Sequence, residues 1–176
     1  LFINAPDKSA EHAQQALSSL HFNEVESIQI QRNEITTVEL EKQGGQWLII
    51  SPITANANPI KIKLLLSILN TKSHHQTPVA NINSLAPFKL DPPAFTLTLN
   101  QQRFDFGDIE SLNKYRYIKY QDTIHLVDDT IAPLLNSNAN SYIDNRLINA
   151  HQKIIKLELP LLDNNQLSPS TQTIEQ

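Results

Sequence analysis

Apolar residues in this chain arrive in short runs that alternate with polar ones, and that period of two limits the possible folds more than any other feature. Phe95-Thr96-Leu97-Thr98-Leu99 is the cleanest case. Val25, Ile28, Ile30 then Ile35, Val38, Leu40 follow the pattern in part, as do Phe104 with Phe106, Tyr115 with Tyr117, Ile124 with Leu126, and Ile155, Leu157, Leu159. Alternation turns one face of each run to a core and the other to water, as antiparallel strands require. Turn-forming residues separate the runs at Arg32-Asn33-Glu34, Gln43-Gly44-Gly45, Asn100-Gln101-Gln102 and Gln121-Asp122. Two of the chain's 3 glycines stand at 44 and 45, where a tight connection needs positive φ. Trp47-Leu48-Ile49-Ile50 then reads as a third strand, ended at Pro52.

One stretch carries helical period instead. Asn58 is placed to cap a helix and Pro59 to open it. Ile60, Leu64, Ile68 with Leu65 and Leu69 make its apolar face, with Lys61, Lys63 and Ser67 off it. Thr71 to Pro78 is polar and loop-like. Ser84 to Pro93 reads as one helical turn followed by an extended Asp91-Pro92-Pro93, because a residue before proline avoids the α region. Asp128-Asp129-Thr130 is expected to cap a short helix over 131–135, and residues 142–148 add another turn or two.

The expected fold is therefore α+β: an antiparallel meander of seven or eight strands in two strand-then-helix units, with the main helix near 59–70. Residues 1–24 are polar and Ala/Ser/Gln-rich and read as a linker. The absence of any Met and the apolar Leu1-Phe2-Ile3 suggest that a membrane anchor precedes it. A single domain is expected over 25–160, and a polar, disordered tail over 161–176.

Composition closes off several functions. With 14 basic against 18 acidic side chains the net charge is −4, so no basic excess exists to neutralise a phosphate backbone, and no nucleic-acid partner is expected. The chain has no Cys, which excludes disulfides, thiolate metal sites and thiol nucleophiles. No run approaches the ~18 consecutive apolar residues of a spanning helix.

Chemistry-bearing residues are few. His74-His75 is the only histidine pair, and adjacent side chains diverge, so the pair reads as a solvated loop rather than a metal site. His125 lies between apolar residues of a strand, as a solvent-facing or satisfied core histidine does. Asp105, Asp108 and Glu110 crowd one segment without the ligand steps of a calcium loop and read as outward residues beside a turn. Asp128-Asp129 reads as a helix start rather than an acid–base pair. Gly-x-Ser-x-Gly and phosphate-cradling loops do not occur. Trp47 and the cluster Tyr115, Arg116, Tyr117, Tyr120 most resemble a contact surface. Alternation places Trp47, Tyr115 and Tyr117 on the core face and Arg116 opposite, and the differing parity of Tyr120 leaves it free to lie exposed. No catalytic, cofactor-binding or metal-binding residue is assigned, and no cofactor is expected.

The order of landmarks resembles the bacterial domain-of-unknown-function family 4340. It rests on Val25–Arg32, Trp47-Leu48-Ile49-Ile50-Ser51-Pro52, the helix after Pro59, and Phe88-Lys89-Leu90-Asp91-Pro92-Pro93. Further on it rests on Phe106-Gly107, Arg116-Tyr117-Ile118, His125-Leu126-Val127-Asp128, Arg146-Leu147 and Ile154–Pro160. It covers roughly Val25 to Pro160, and Lys89 stands where the resemblance leads one to expect Gly. The resemblance implies no established activity. It implies an N-terminal membrane anchor with the domain on the periplasmic or extracytoplasmic face of the bacterial inner membrane, in some members beside a transport system. The expectation is a non-enzymatic, membrane-tethered envelope domain that binds or positions another protein. The alternative is a module for a small lipid or glycan ligand. A hydrolase would require a Ser or Asp within hydrogen-bond reach of a His in a cleft, with His125 and Asp128 the first pair to inspect and expected to be unrelated.

Overall fold

The computed structural model describes residues 16–146, 157–163 and 166–172. The chain divides into two compact units, residues 1–144 and 145–176.

Strands β1 (Ser27–Arg32), β2 (Ile35–Gln43), β3 (Gln46–Ser51) and β4 (Ala55–Asn56) form a first meander, followed by helix α1 (Pro59–Leu66). After β5 (His75–Pro78) come β6 (Phe95–Leu99), β7 (Gln102–Ile109), β8 (Arg116–Tyr120) and β9 (Thr123–Val127), then the short helix α2 (Ala132–Leu135). All nine strands belong to one antiparallel sheet in the order β4-β3-β2-β1-β6-β7-β8-β9-β5. The two meanders stand back to back through their first strands, with Ile28 opposite Leu99 and Ile30 opposite Leu97. Each is followed by a helix in the chain, but β5 follows α1 and pairs with β9 of the other meander, so the two expected strand-then-helix units are not reproduced. The meanders make one continuous sheet, and the strand count exceeds the expected seven or eight. The additions are β4 and β5, too short and too polar to alternate.

The hairpins close where the turn residues predicted. Asn33 and Glu34 both take positive φ between β1 and β2, as Gly44 and Gly45 do between β2 and β3, and Asn100 and Gln121 enter left-handed turns in the second meander. Such turns match the twist of the strands they join.

One sheet face carries the core. Ile28, Ile30, Val38, Leu40, Leu97, Leu99, Phe104, Phe106 and Ile118 pack there against Ile62, Leu65 and Leu66 of α1, Ile68 and Leu69 of the 3-10 turn that follows it, and Leu134 and Leu135 of α2. Asn58 Oδ1 accepts from the backbone N–H of Ile60 at 3.0 Å and of Lys61 at 3.3 Å, so the predicted cap is in place. The predicted helix face is corrected. α-Helical geometry stops at Leu66 and a tighter turn continues to Asn70, so the phase shifts: Ile62 and Leu66 join the core while Ile60 and Leu64 turn outward. Arg32 reaches from β1 to the end of α2, donating to the carbonyls of Asn136 at 3.1 Å and Ser137 at 2.7 Å, where such carbonyls lack helical partners. Tyr142 is fully buried and donates to the Leu134 carbonyl at 2.6 Å. Burial pushes its phenol far above the ordinary range.

The folded region starts before Val25. Leu17 is buried in the core, Leu20 packs against it, and the Leu17 N–H donates to Thr71 O at 3.1 Å, so the expected linker is anchored to the core at its C-terminal end. The rest of the expected linker, residues 1–15, lies outside the described residues. In the second unit, β10 (Leu157–Asp163) and β11 (Gln166–Gln172) pair as an antiparallel hairpin. The last strand thus continues past Pro160, which lies opposite Pro169, and the tail expected to be unstructured supplies its partner. Asp163-Asn164-Asn165-Gln166 has the residue types that favour a reversal, a signal obscured by the polar composition around it.

Candidate functional site

The best-ordered polar constellation lies where β7 meets β8. Beyond Phe106 the register of this pair shifts before Ile109 meets Arg116, and the irregularity leaves the Gly107 carbonyl open to a side chain. Arg116 donates to it through Nη1. Its other donors fork onto Asp129, Nε to Oδ1 and Nη2 to Oδ2, both at 2.7 Å. The side chains of Arg116 and Asp129 are only 11% and 20% exposed. Beside them His74 Nε2 lies 3.2 Å from Asp128 Oδ1, and its ring stacks on Tyr115 with centroids 4.0 Å apart. Asp128 and Asp129 therefore serve as anion partners of His74 and Arg116. The expected side-chain cap of α2 is not made, and Ile131 occupies the N-cap position. A planar guanidinium fork offers a carboxylate more than a single N–H at a helix end does.

Gly107 is also where the turn of 85–90 docks. A methyl group there would lie 2.1 Å from the Phe88 carbonyl oxygen and about 3 Å from the Leu90 side chain. Phe88 meets Tyr117 edge-on, centroids 4.8 Å apart. Lys89 adopts the left-handed conformation, φ 50° and ψ 43°, so the turn forms at the position where Gly was expected. Its ammonium sits 3.0 Å from Asp108, which holds that exposed carboxyl below its usual range together with the Ile109 N–H. Glu110, also lowered, accepts from the N–H groups of Asn113 and Leu112.

Asp105 departs from the expected outward trio. It is 5% exposed and accepts from Thr96 Oγ1 at 2.8 Å and Arg103 Nε at 2.7 Å, with Lys119 Nζ at 3.6 Å. A carboxylate so surrounded is a satisfied strut across β6, β7 and β8.

The aromatic cluster is reversed. Arg116, Ile118 and Tyr120 share the core-facing parity of β8, and Tyr120 is buried, stacked on Phe104 at 4.6 Å. Tyr115 and Tyr117 belong to the other side. Ile118, fully buried opposite His125 and Phe106, sets this register; taking the tyrosines as the apolar set shifts every side chain by one place and so to the wrong face. Trp47 does lie against the core.

His125 faces inward at 6% exposure with Nδ1 lacking any hydrogen-bond partner, and burial pushes its imidazole down to about 4. It does not form a pair with Asp128, whose partner is His74. His74 and His75 also part company. The first turns to Asp128 and Tyr115, while the second is exposed in β5 opposite Leu126. Among the described residues no group of three or more His, Asp or Glu is placed to hold a metal ion, and no helix is long and apolar enough to cross a membrane.

Fold and site together define an α+β sheet domain of two fused meanders, the second locked by an arginine–carboxylate fork against a glycine-seated turn. The chain belongs to the family called Domain of unknown function (DUF4340), whose family model matches residues 47–170. No curated protein and no solved structure matches it. The match starts at Trp47 and runs past Pro160, so it includes both strands of the second unit's hairpin nearly in full.

Proposed function

We propose that this is a non-enzymatic docking domain of the bacterial envelope, tethered to the membrane through sequence N-terminal to it, that holds another protein against α1. The observation carrying this reading is the outward face of that helix. Ile60 is 74% and Leu64 40% exposed, one turn apart on the same side. Single exposed apolar residues need no explanation. Here, though, the helix PIKIKLLL carries apolar residues on its outward side as well as on its buried one, a composition suited to being covered on both faces. Lys61 and Lys63 beside the pair favour a partner surface with an apolar centre and an acidic margin. The buried polar groups around Arg116 and Asp105 are engaged with one another, which suits rigidity rather than turnover.

A photocrosslinking residue placed at 60 or 64 of the full-length protein in intact cells tests this, with position 34 on the β1–β2 turn as control. A discrete protein adduct at 60 and 64 and none at 34 is expected. Adducts to lipid alone, or the same adducts from all three positions, would overturn the reading.

A further inference from the structure

A second region offers a different kind of binding. The segment 16–19, held by the Leu17–Thr71 hydrogen bond and by Leu17 in the core, forms one side of an open cavity of about 380 Å³ together with β5 and the β8–β9 hairpin. This lies within the size range of small-molecule sites, roughly 300–1,000 Å³. Its wall presents Ser18, Ser19, Gln76, Gln121, Thr123 and His125, with the buried ring of Tyr120 behind, and among the described residues no Asp, Glu, Lys or Arg lines it. Ser18 and Tyr120 both donate to Gln102 Oε1, at 2.6 and 2.7 Å, and Gln121 Nε2 donates to the Tyr120 oxygen at 3.3 Å. These bonds fix the polar rim.

His125 gives the cavity direction. Nδ1 is sealed in protein without a partner, whereas Nε2 is not among the sealed atoms and the residue lines the cavity. A buried N–H without an acceptor costs more than a buried lone pair. The neutral ring therefore keeps its proton on Nε2, the nitrogen on the open side. Burial holds it neutral at pH 7.

We propose that this cavity binds a small, uncharged, hydroxyl-rich molecule of the sugar class, with His125 Nε2–H donating to one of its oxygens and Thr123 and the glutamine amides meeting others. A charged ligand would lose its hydration with no opposite charge to offset the loss. An apolar one would leave hydroxyls and amides without partners. The site shares no residue with the outer face of α1, so the two readings stand or fall separately.

Titration of the full chain, isotopically labelled, with glucose, N-acetylglucosamine and maltose tests it by NMR, with octanoate and inorganic phosphate as counter-probes. The expected result is an Nε2–H tautomer at His125, with saturable shifts of its imidazole and of the Thr123 and Gln121 amides for at least one sugar. His125→Phe should raise Kd by roughly 5- to 10-fold, the worth of one hydrogen bond. Thr123→Val, which removes a hydroxyl from a partly exposed position, should raise it about 2- to 5-fold, and it decides the matter if the histidine variant does not fold. No saturation by any sugar, saturation by octanoate or phosphate alone, or unchanged binding in Thr123→Val together with any folded His125 variant would overturn the proposal.

Discussion

Replacing Gly107 by alanine tests whether the 85–90 turn is held by close contact with β7. The φ of Gly107 is one that other residues adopt, so the substitution carries no backbone strain of its own, and in open space it would stabilise by about 0.4–1 kcal/mol through the unfolded chain. Space is what is missing. The new methyl would stand 2.1 Å from the Phe88 carbonyl oxygen, whereas a relaxed C···O contact is about 3.3 Å or more. The turn must therefore retreat by about 1 Å. The carbonyl cannot swing alone, because Phe88, Lys89 and Leu90 donate back to Leu85 and Ala86 within the same turn. Retreat pulls the Phe88 ring from Tyr117, a contact worth about 0.5–1.5 kcal/mol, and exposes part of Leu90, whose full burial is worth about 1.5–3 kcal/mol. Set against the gain of about 0.4–1 kcal/mol from the unfolded chain, the net expectation is a loss of about 1–3 kcal/mol. Urea unfolding followed by the fluorescence of Trp47, the only tryptophan, reads it directly. In a Leu90→Ala background the same substitution should cost less than half as much, because the displaced contact is already gone. A loss below about 0.5 kcal/mol in the parent, or an equal loss in both backgrounds, would refute the close-contact argument.

Arg116→Ala should cost about 3–5 kcal/mol by stranding the Asp129 carboxylate and the Gly107 carbonyl, and Arg116→Lys should recover little of it because a point charge cannot fork; both are read by thermal or urea unfolding. Lys89→Gly should stabilise by up to about 1 kcal/mol, since the left-handed backbone penalises a side chain and the exposed Asp108 pair offsets little; a loss of stability would show that the ion pair outweighs the strain. His125 is neutral in the fold down to about pH 4 while its unfolded value is 6.5, so the unfolded state takes up the proton first and stability falls as pH drops from 6.5 toward 4. The fall should be about 1–3 kcal/mol, discounted because the cavity admits water to the ring, and His125→Phe should flatten that part of the profile.

Much of the first unit was legible from local rules. Gly44-Gly45 and Asn33-Glu34 mark their turns because few residues tolerate positive φ, and Asn58-Pro59 marks its helix because cap geometry is a two-residue matter. What failed was what depends on partners distant in sequence. The parity of β8 is set by Ile118 against Phe106 and His125, so the more conspicuous tyrosines misled. Asp129 looked like a helix cap because Arg116 lies thirteen positions earlier and meets it only when β8 pairs with β9. Strand β5 carries no apolar alternation at all; it exists because the edge of β9 offers it backbone partners. The cavity at His125 gave no sequence signal, since its wall joins residues 16–19 to residues more than fifty positions away.

The motifs that carried the family resemblance converge in space, and where they converge says what they are for. Phe88 to Leu90 rests on Gly107, Gly107 accepts from Arg116, and Arg116 grips Asp129, beside Asp128 of the His125–Asp128 motif. Four separate stretches of sequence thus describe one joint between β7, β8, the loop after β9 and the turn that covers them. Within it the Gly107 carbonyl, the Arg116 guanidinium and the Asp129 carboxylate are engaged with one another. The two features proposed to bind, the outward Ile60 and Leu64 of α1 and the unpartnered imidazole at the cavity, lie outside it. If both proposals hold, the joint supplies the rigid sheet and binding falls to surfaces that the fold itself does not require. Substitution at the joint should then lower stability and every binding function together, whereas Leu64→Ser should weaken the protein contact alone and Thr123→Val should weaken sugar binding alone, the latter by about 2- to 5-fold. Loss of a crosslink or of sugar binding by a joint variant that unfolds normally would contradict it.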